Sequence, residues 1–165
     1  MKIYLIRHGI AREPKGSDIE VDSQRPLTVE GRDAITRIAH ALNRLDVRPD
    51  LILSSPYVRA EQTAAIIAKE FDLQKRLVLS ELLTPEGKAD DIISMIVEKA
   101  LVEELFIIGH LPGLALLASF LAASNFDLAI NLKKGGVCCL LADDLRLEPH
   151  ASLEWLLTPK ILLKA

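Results

Sequence analysis

The chain has only two cysteines, Cys138 and Cys139, and they are adjacent in an apolar stretch. Neighbouring residues of that kind give neither a disulfide framework nor a four-ligand zinc site, so they read as buried thiols in a strand. An excess of basic charge is missing too. The formal net charge of -3 argues against a general nucleic-acid binder, which needs a positive face for phosphate contacts. No apolar run reaches membrane-spanning length, and the N-terminus enters a strand at once without the charged, apolar and cleavable regions of a signal peptide. The expectation is a cytoplasmic protein with no membrane contact. Internal repeats and low-complexity segments are absent, as is any His, Cys or carboxylate cluster with metal-ligand spacing.

What remains is a mix of 50% hydrophobic and 26% charged residues over 165 positions, the composition of one folded domain with a substantial core. Lys2 to Ile6 reads as a short buried strand, and Ile10 to Pro26, rich in charge, Gly, Ser and Pro, as a long loop. Thr28 is placed to cap a helix whose apolar positions Ile35, Ile38, Ala39, Leu42 and Leu45 follow helical spacing. Leu51 to Leu53 is a second strand. Ser54-Ser55-Pro56 then supplies capping hydroxyls and a helix-starting proline for a helix over about Tyr57 to Phe71. Leu77 to Leu79 is a third strand, a helix from about Ala89 buries Ile92, Ile93, Ile96 and Val97, and Leu105 to Ile108 is a fourth strand. The segment from about Pro112 to Ala123 is apolar on nearly all sides and reads as a buried helix, with two further strands at Gly136 to Leu141 and Leu153 to Leu157. Strands alternating with helices predict an α/β fold of three layers, a mostly parallel central sheet with helices on both faces.

Chemistry collects where these strands end. The apolar run Leu5-Ile6 stops at Arg7-His8-Gly9, the fourth strand stops at Gly109-His110, and Arg59 lies in the first turn of the helix after the second. The carboxyl ends of parallel strands face one edge of a sheet, so residues far apart in the chain converge there. Arg59 is conspicuous because a cation is mildly unfavourable at a helix N-terminus. Two arginines and two histidines in one cleft suit a phosphoryl group, since guanidinium forks match its oxygens and stabilise charge in transit. The arginines are expected to disfavour a protonated imidazole and leave one histidine neutral and nucleophilic. His40, within the first helical pattern, and His150, in a polar connection, belong to no motif.

Arg7-His8-Gly9, Ser55-Pro56 with Arg59-Ala60-Glu61-Gln62-Thr63, and Gly109-His110 with Pro112 together resemble the signature of the histidine phosphatase (phosphoglycerate mutase-like) superfamily. Arg25-Pro26-Leu27-Thr28, Leu83-Thr84-Pro85 and the tail from Trp155 to Pro159 are similar to its small SixA-like branch, the phosphohistidine phosphatases. The resemblance covers nearly the whole chain and implies a single domain over 1–165 without a lid insertion. It makes His8 the nucleophile, with Arg7, Arg59 and His110 holding the transferred phosphoryl group, and it requires no metal or organic cofactor. Arg25 either faces the phosphate or is a solvated loop charge. Many family members carry a proton-donating acid after the third strand, where this chain offers Glu81. The surroundings of Glu81 do not match the usual acid motif, so it is either that acid or a solvated loop carboxylate.

The resulting expectation is a signalling phosphatase that acts on a histidine-phosphorylated protein through a phosphorylated-histidine intermediate. Two alternatives stand beside it: a phosphatase or mutase for a small phosphate ester, and a module that binds phosphohistidine without turning it over.

Overall fold

The computed structural model of the chain describes residues 1–13, 22–99, 102–145 and 150–164. Among these residues the strands and α-helices follow one another as β1 (Lys2–Arg7), α1 (Val29–Arg44), β2 (Leu51–Ser54), α2 (Val58–Glu70), β3 (Leu77–Leu79), α3 (Ala89–Val97), β4 (Glu104–Gly109), α4 (Gly113–Ala123), β5 (Val137–Leu141), β6 (Ser152–Leu157) and α5 (Pro159–Leu162). The strands form one six-stranded sheet in the order β3-β2-β4-β1-β5-β6. β3, β2, β4 and β1 run parallel; β5 lies antiparallel to β1, and β6 antiparallel to β5.

The two central strands are apolar on both faces because each face is covered. Ile3 and Leu5 of β1 join Leu105 and Ile107 of β4 in a core with α3 and α4, through Ile92, Ile96, Leu114 and Leu117. Tyr4, Ile6, Phe106 and Ile108 face the other way, onto Ile35, Ile38 and Leu42 of α1 and Ala64 and Ile67 of α2. This period-two split makes the sheet the middle of three layers. Cys138 and Cys139 are buried in β5 as free thiols, and burial pushes them up to about 11 and about 12 respectively.

Several boundaries differ from the sequence reading. Thr28 does cap α1, its Oγ1 accepting from Gly31 N–H at 2.9 Å, but Leu45 is the C-cap and is exposed instead of buried. Helix α2 starts at Val58, two residues past Pro56, and its cap residue Tyr57 has no side-chain capping bond. The hydroxyl of Ser55 accepts from Tyr57 N–H one step outside the helix, so it orders the turn that leads in. Helix α4 is not buried all round: Leu116 is exposed and Phe120 stacks on exposed Phe126. The run of apolar residues exceeded the area that β1, β5, β6 and α3 can cover. Val97 is only partly buried, at the end of α3. In the segment from Ile10 to Pro26, Ala11 bridges Leu27 and Asp22–Gln24 forms a 3-10 turn, while 14–21 lie outside the described residues.

The register of β1 on β4 positions the site. Arg7 pairs with Gly109, so the two strands end level, and His8 N–H donates to the Gly109 carbonyl at 3.1 Å. β2 pairs Ser54 with Ile108, and Ser55 N–H continues that ladder to the Ile108 carbonyl at 2.9 Å. His8, Ser55 and His110 therefore emerge side by side from three adjacent strands. Among the described residues no helix is long and apolar enough to cross a membrane.

Candidate active site

At the end of β1 the backbone turns tightly. Gly135, with φ +75, donates its N–H to the carbonyls of both Arg7 and His8, and Gly9 N–H donates to Thr63 Oγ1 at 3.1 Å. A Cβ on Gly9 would stand 2.8 Å from Ile35 Cγ1, so glycine lets the strand end close against α1. Thr63 in turn donates to the Arg59 carbonyl at 2.7 Å, one turn back in α2, so its hydroxyl joins that helix to Gly9.

The His8 ring is held at both nitrogens. Nδ1 lies 2.7 Å from the Gly9 carbonyl oxygen, which can only accept, so Nδ1 carries the proton. Nε2 is left with its lone pair, and accepts from Arg59 Nε–H at 3.2 Å. Burial pushes the imidazole down to about 3, against the Gly9 bond that favours the charged form, with His110, Arg59 and Arg7 adding repulsion. The neutral ring expected from the sequence is present, but desolvation outweighs the arginines as its cause.

Arg59 is buried at the second position of α2. Its cost there is offset by Asp22, whose carbonyl accepts from Nη1 at 2.6 Å and whose Oδ2 accepts from Nη2 at 2.8 Å. The Tyr57 ring covers the guanidinium at 5.2 Å. His110 follows β4 with its ring 5.0 Å from that of His8 and 5.1 Å from that of Tyr57. Its Nε2 is 2.9 Å from Ser55 Oγ, while its buried Nδ1 has no partner among the described residues. Burial, then repulsion from Arg59, pushes His110 down to about 4. Arg7 sends Nη1 to the Leu132 carbonyl at 3.0 Å, and its buried Nε likewise has no partner among the described residues. Arg7 Nε–H is a buried donor left open beside a neutral imidazole nitrogen that carries a lone pair, an arrangement that suits a tetrahedral oxyanion.

The structure thus brings Arg7, His8, Arg59 and His110 together. Arg25 stands one step back: Nε donates to Asp22 Oδ1 at 2.8 Å and Nη1 to the Arg12 carbonyl at 3.0 Å, so Asp22 links it to Arg59. Glu81 is exposed in a 3-10 turn, and among the described residues its carboxylate has no hydrogen bond. His40 pairs with Glu70 at 2.8 Å, away from the site, and His150 is exposed. Sequence reasoning missed Asp22, Tyr57 and Glu86, the last of which accepts from the Tyr57 hydroxyl at 3.2 Å. A cation in the first turn of a helix signals a missing counter-charge, yet nothing local says that Asp22 supplies it. No group of three or more His, Cys, Asp or Glu that could hold a metal occurs among the described residues.

Comparison with known proteins bears directly on this arrangement. The model of the histidine phosphatase superfamily (branch 1) matches residues 3–84. Phosphohistidine phosphatase SixA of Escherichia coli is 32% identical over 116 residues, 68% of each chain. The chain belongs to the histidine phosphatase superfamily. An uncharacterised protein of Picosynechococcus is 34% identical over 99% of both chains. The solved structure of the protein histidine phosphatase SixA complexed with tungstate superposes with a TM-score of 0.83 and 25% identity, covering 97% of this chain and 98% of that one. The chain is therefore a phosphatase of the SixA-like branch of this family, with the phosphoglycerate mutase-like fold.

Proposed function

We propose that this phosphatase removes the phosphoryl group from phosphohistidine in a protein, through a phosphorylated His8. The observation that carries the reading is the His8 tautomer: Nδ1–H is fixed on the Gly9 carbonyl, and the Nε2 lone pair faces the cluster beside Arg59. An imidazole held neutral at physiological pH attacks without first losing a proton. Nε2 attacks phosphorus, the phosphorus-nitrogen bond of the substrate breaks, and the departing imidazole takes up a proton. Water then attacks phosphorus, the bond to Nε2 breaks, and inorganic phosphate leaves. Charge on the transferring oxygens is met by Arg7 Nε–H, by His110, and by Arg59 once its guanidinium exchanges Asp22 for the phosphoryl group.

Substrate class rests on two further points. The phosphohistidine phosphatase SixA of Escherichia coli is a relative at 32% identity. Among the described residues, the interval from Arg59 to His110 is taken up by α2, β3, α3, β4 and the turns between them, which supports a substrate side chain presented on a protein surface. Purified protein is assayed on a phosphohistidine protein and on a panel of small phosphate esters. We expect turnover of the protein to exceed that of any sugar phosphate, and the reverse order would move the reading to small esters. His8→Ala abolishes turnover while the fold persists, and Arg59→Lys is severe because an ammonium cannot reproduce a guanidinium fork. Near-normal activity in His8→Ala removes the mechanism. Binding of the phosphoprotein without phosphate release by the wild type would make the chain a binding module.

A further inference from the structure

We propose that Ser55 is a positioning residue that fixes His110 in the Nδ1–H tautomer, so that a neutral imidazole presents a donor to the phosphoryl group. The inference rests on the phosphatase reading above and adds to it the group that decides what His110 can do.

Ser55 is fully buried, and its hydroxyl has two partners. Tyr57 N–H donates to Oγ at 3.2 Å, and His110 Nε2 lies 2.9 Å away. A serine hydroxyl has one proton to give. Tyr57 N–H cannot receive it, and among the described residues no other acceptor bonds this oxygen. The proton of Ser55 therefore goes to His110 Nε2, because the opposite arrangement leaves a hydroxyl proton buried without a partner, at a cost of about 1–3 kcal/mol. Nε2 then holds a lone pair and Nδ1 holds the proton. Nδ1 is the buried atom that has no partner among the described residues, and its ring lies 5.0 Å from that of His8.

The choice of tautomer matters because His110 is uncharged at neutral pH. A charged imidazole donates from both nitrogens whatever its neighbours do. A neutral one donates from one only, and the wrong choice would turn a lone pair toward the phosphoryl oxygens. Backbone geometry holds the arrangement: Ser55 and His110 leave adjacent parallel strands, with Ser55 N–H bonded to the Ile108 carbonyl. The two imidazoles of the site are thus set by different means to the same form, His8 by its own backbone and His110 by a serine on the next strand.

The test is a long-range 1H–15N spectrum of 15N-histidine-labelled protein. The chain has four histidines, and the His110 signals are assigned by their loss in His110→Asn. We expect the wild type to show His110 protonated on Nδ1 with an unprotonated Nε2, and Ser55→Ala to show a mixture or the reverse. With it, kcat on a phosphohistidine protein should fall about ten- to a hundredfold at little change in KM, somewhat less than the roughly 10²- to 10³-fold loss on deleting a transition-state donor. Ser55→Thr, which keeps the hydroxyl, should restore both. A wild-type His110 protonated on Nε2 overturns the proposal, as does a Ser55→Ala enzyme with wild-type tautomer and kcat. The wild-type spectrum decides even where a variant fails to fold. Lack of turnover by the wild type would sink the phosphatase reading, while the spectrum would still judge Ser55.

Discussion

Glu81 and Asp22 are both carboxylates near the strand ends, and the structure gives them opposite environments. Glu81 is exposed, and among the described residues its carboxylate has no hydrogen bond to hold it in place. A phosphohistidine imidazole needs little help, since its conjugate acid has a pKa of roughly 6.5, whereas an alkoxide departs poorly without an acid. Glu81→Gln is therefore expected to keep phosphohistidine hydrolysis within about tenfold of wild type, short of the roughly 10²- to 10⁴-fold of a lost general acid. A loss in that larger range would assign Glu81 the acid role. Asp22, by contrast, occupies the Arg59 guanidinium that the proposed mechanism gives to the phosphoryl group. Burial raises its carboxyl, but bonds from Arg25 and Arg59 outweigh this and hold it below the usual range, so it is an anion and a competitor and not a proton donor. Its side chain is 55% exposed, which makes the competition modest. Asp22→Asn should lower KM and the inhibition constant of inorganic phosphate by up to about fivefold, the range of an exposed ion pair. A raised KM would show that Asp22 holds Arg59 in place for substrate.

At the level of elements, the site depends on how α1 meets the chain leaving β1. Thr28 caps α1 through its side chain and also donates its backbone N–H to the Ile10 carbonyl at 2.9 Å. Gly31, in the first turn, faces that same carbonyl: a Cβ there would stand 2.2 Å from Ile10 O. Thr28→Ala should cost about 1 kcal/mol, as for a lost N-cap. Gly31→Ala normally stabilises a helix by roughly 0.5–1 kcal/mol, but here the sign should reverse, because the backbone carbonyl cannot move aside without displacing the turn after His8 and Gly9. Urea denaturation of the two variants measures both effects. A Gly31→Ala protein more stable than wild type would show that α1 can slide, and that its packing does not hold the nucleophile's turn.

Across the whole molecule, two buried neutral imidazoles make stability depend on pH. His8 and His110 lie at about 3 and about 4 in the fold, against about 6.5 unfolded. Between about pH 4 and 6.5 the unfolded chain binds more protons, so stability rises with pH there and is lost as the solution is acidified. Asp22 and Glu70, both held below their ordinary values, add a loss at still lower pH, as protonation falls on them in the fold. The urea midpoint should drop from pH 7 to pH 5, and the slope should flatten in a His8→Ala, His110→Ala double variant. Equal midpoints at pH 5 and 7 would mean that neither ring is held neutral by burial in the fold.

Every strand and helix except α5, and their order, was legible in the sequence, because these are written in local periodicity. Apolar residues on both faces of Lys2–Arg7 and Glu104–Gly109 mark central strands, helical spacing marks α1 and α3, and Arg7-His8-Gly9 and Gly109-His110 stand where such strands stop. Those motifs were enough to name the family and four residues that the structure brings together. Everything that depends on one segment meeting another waited for the fold. Register was decided by the packing of two cores, and it set Arg7 opposite Gly109 and so His8 beside His110. The partner of Arg59 came from a turn 37 positions away, and the surplus apolar face of α4 was left uncovered by neighbours whose area no periodicity reports. Proton placement came last. A histidine's tautomer is set by which oxygen stands at each nitrogen, a carbonyl at His8 and a hydroxyl at His110, and only chain closure over long separations puts an oxygen from another strand there.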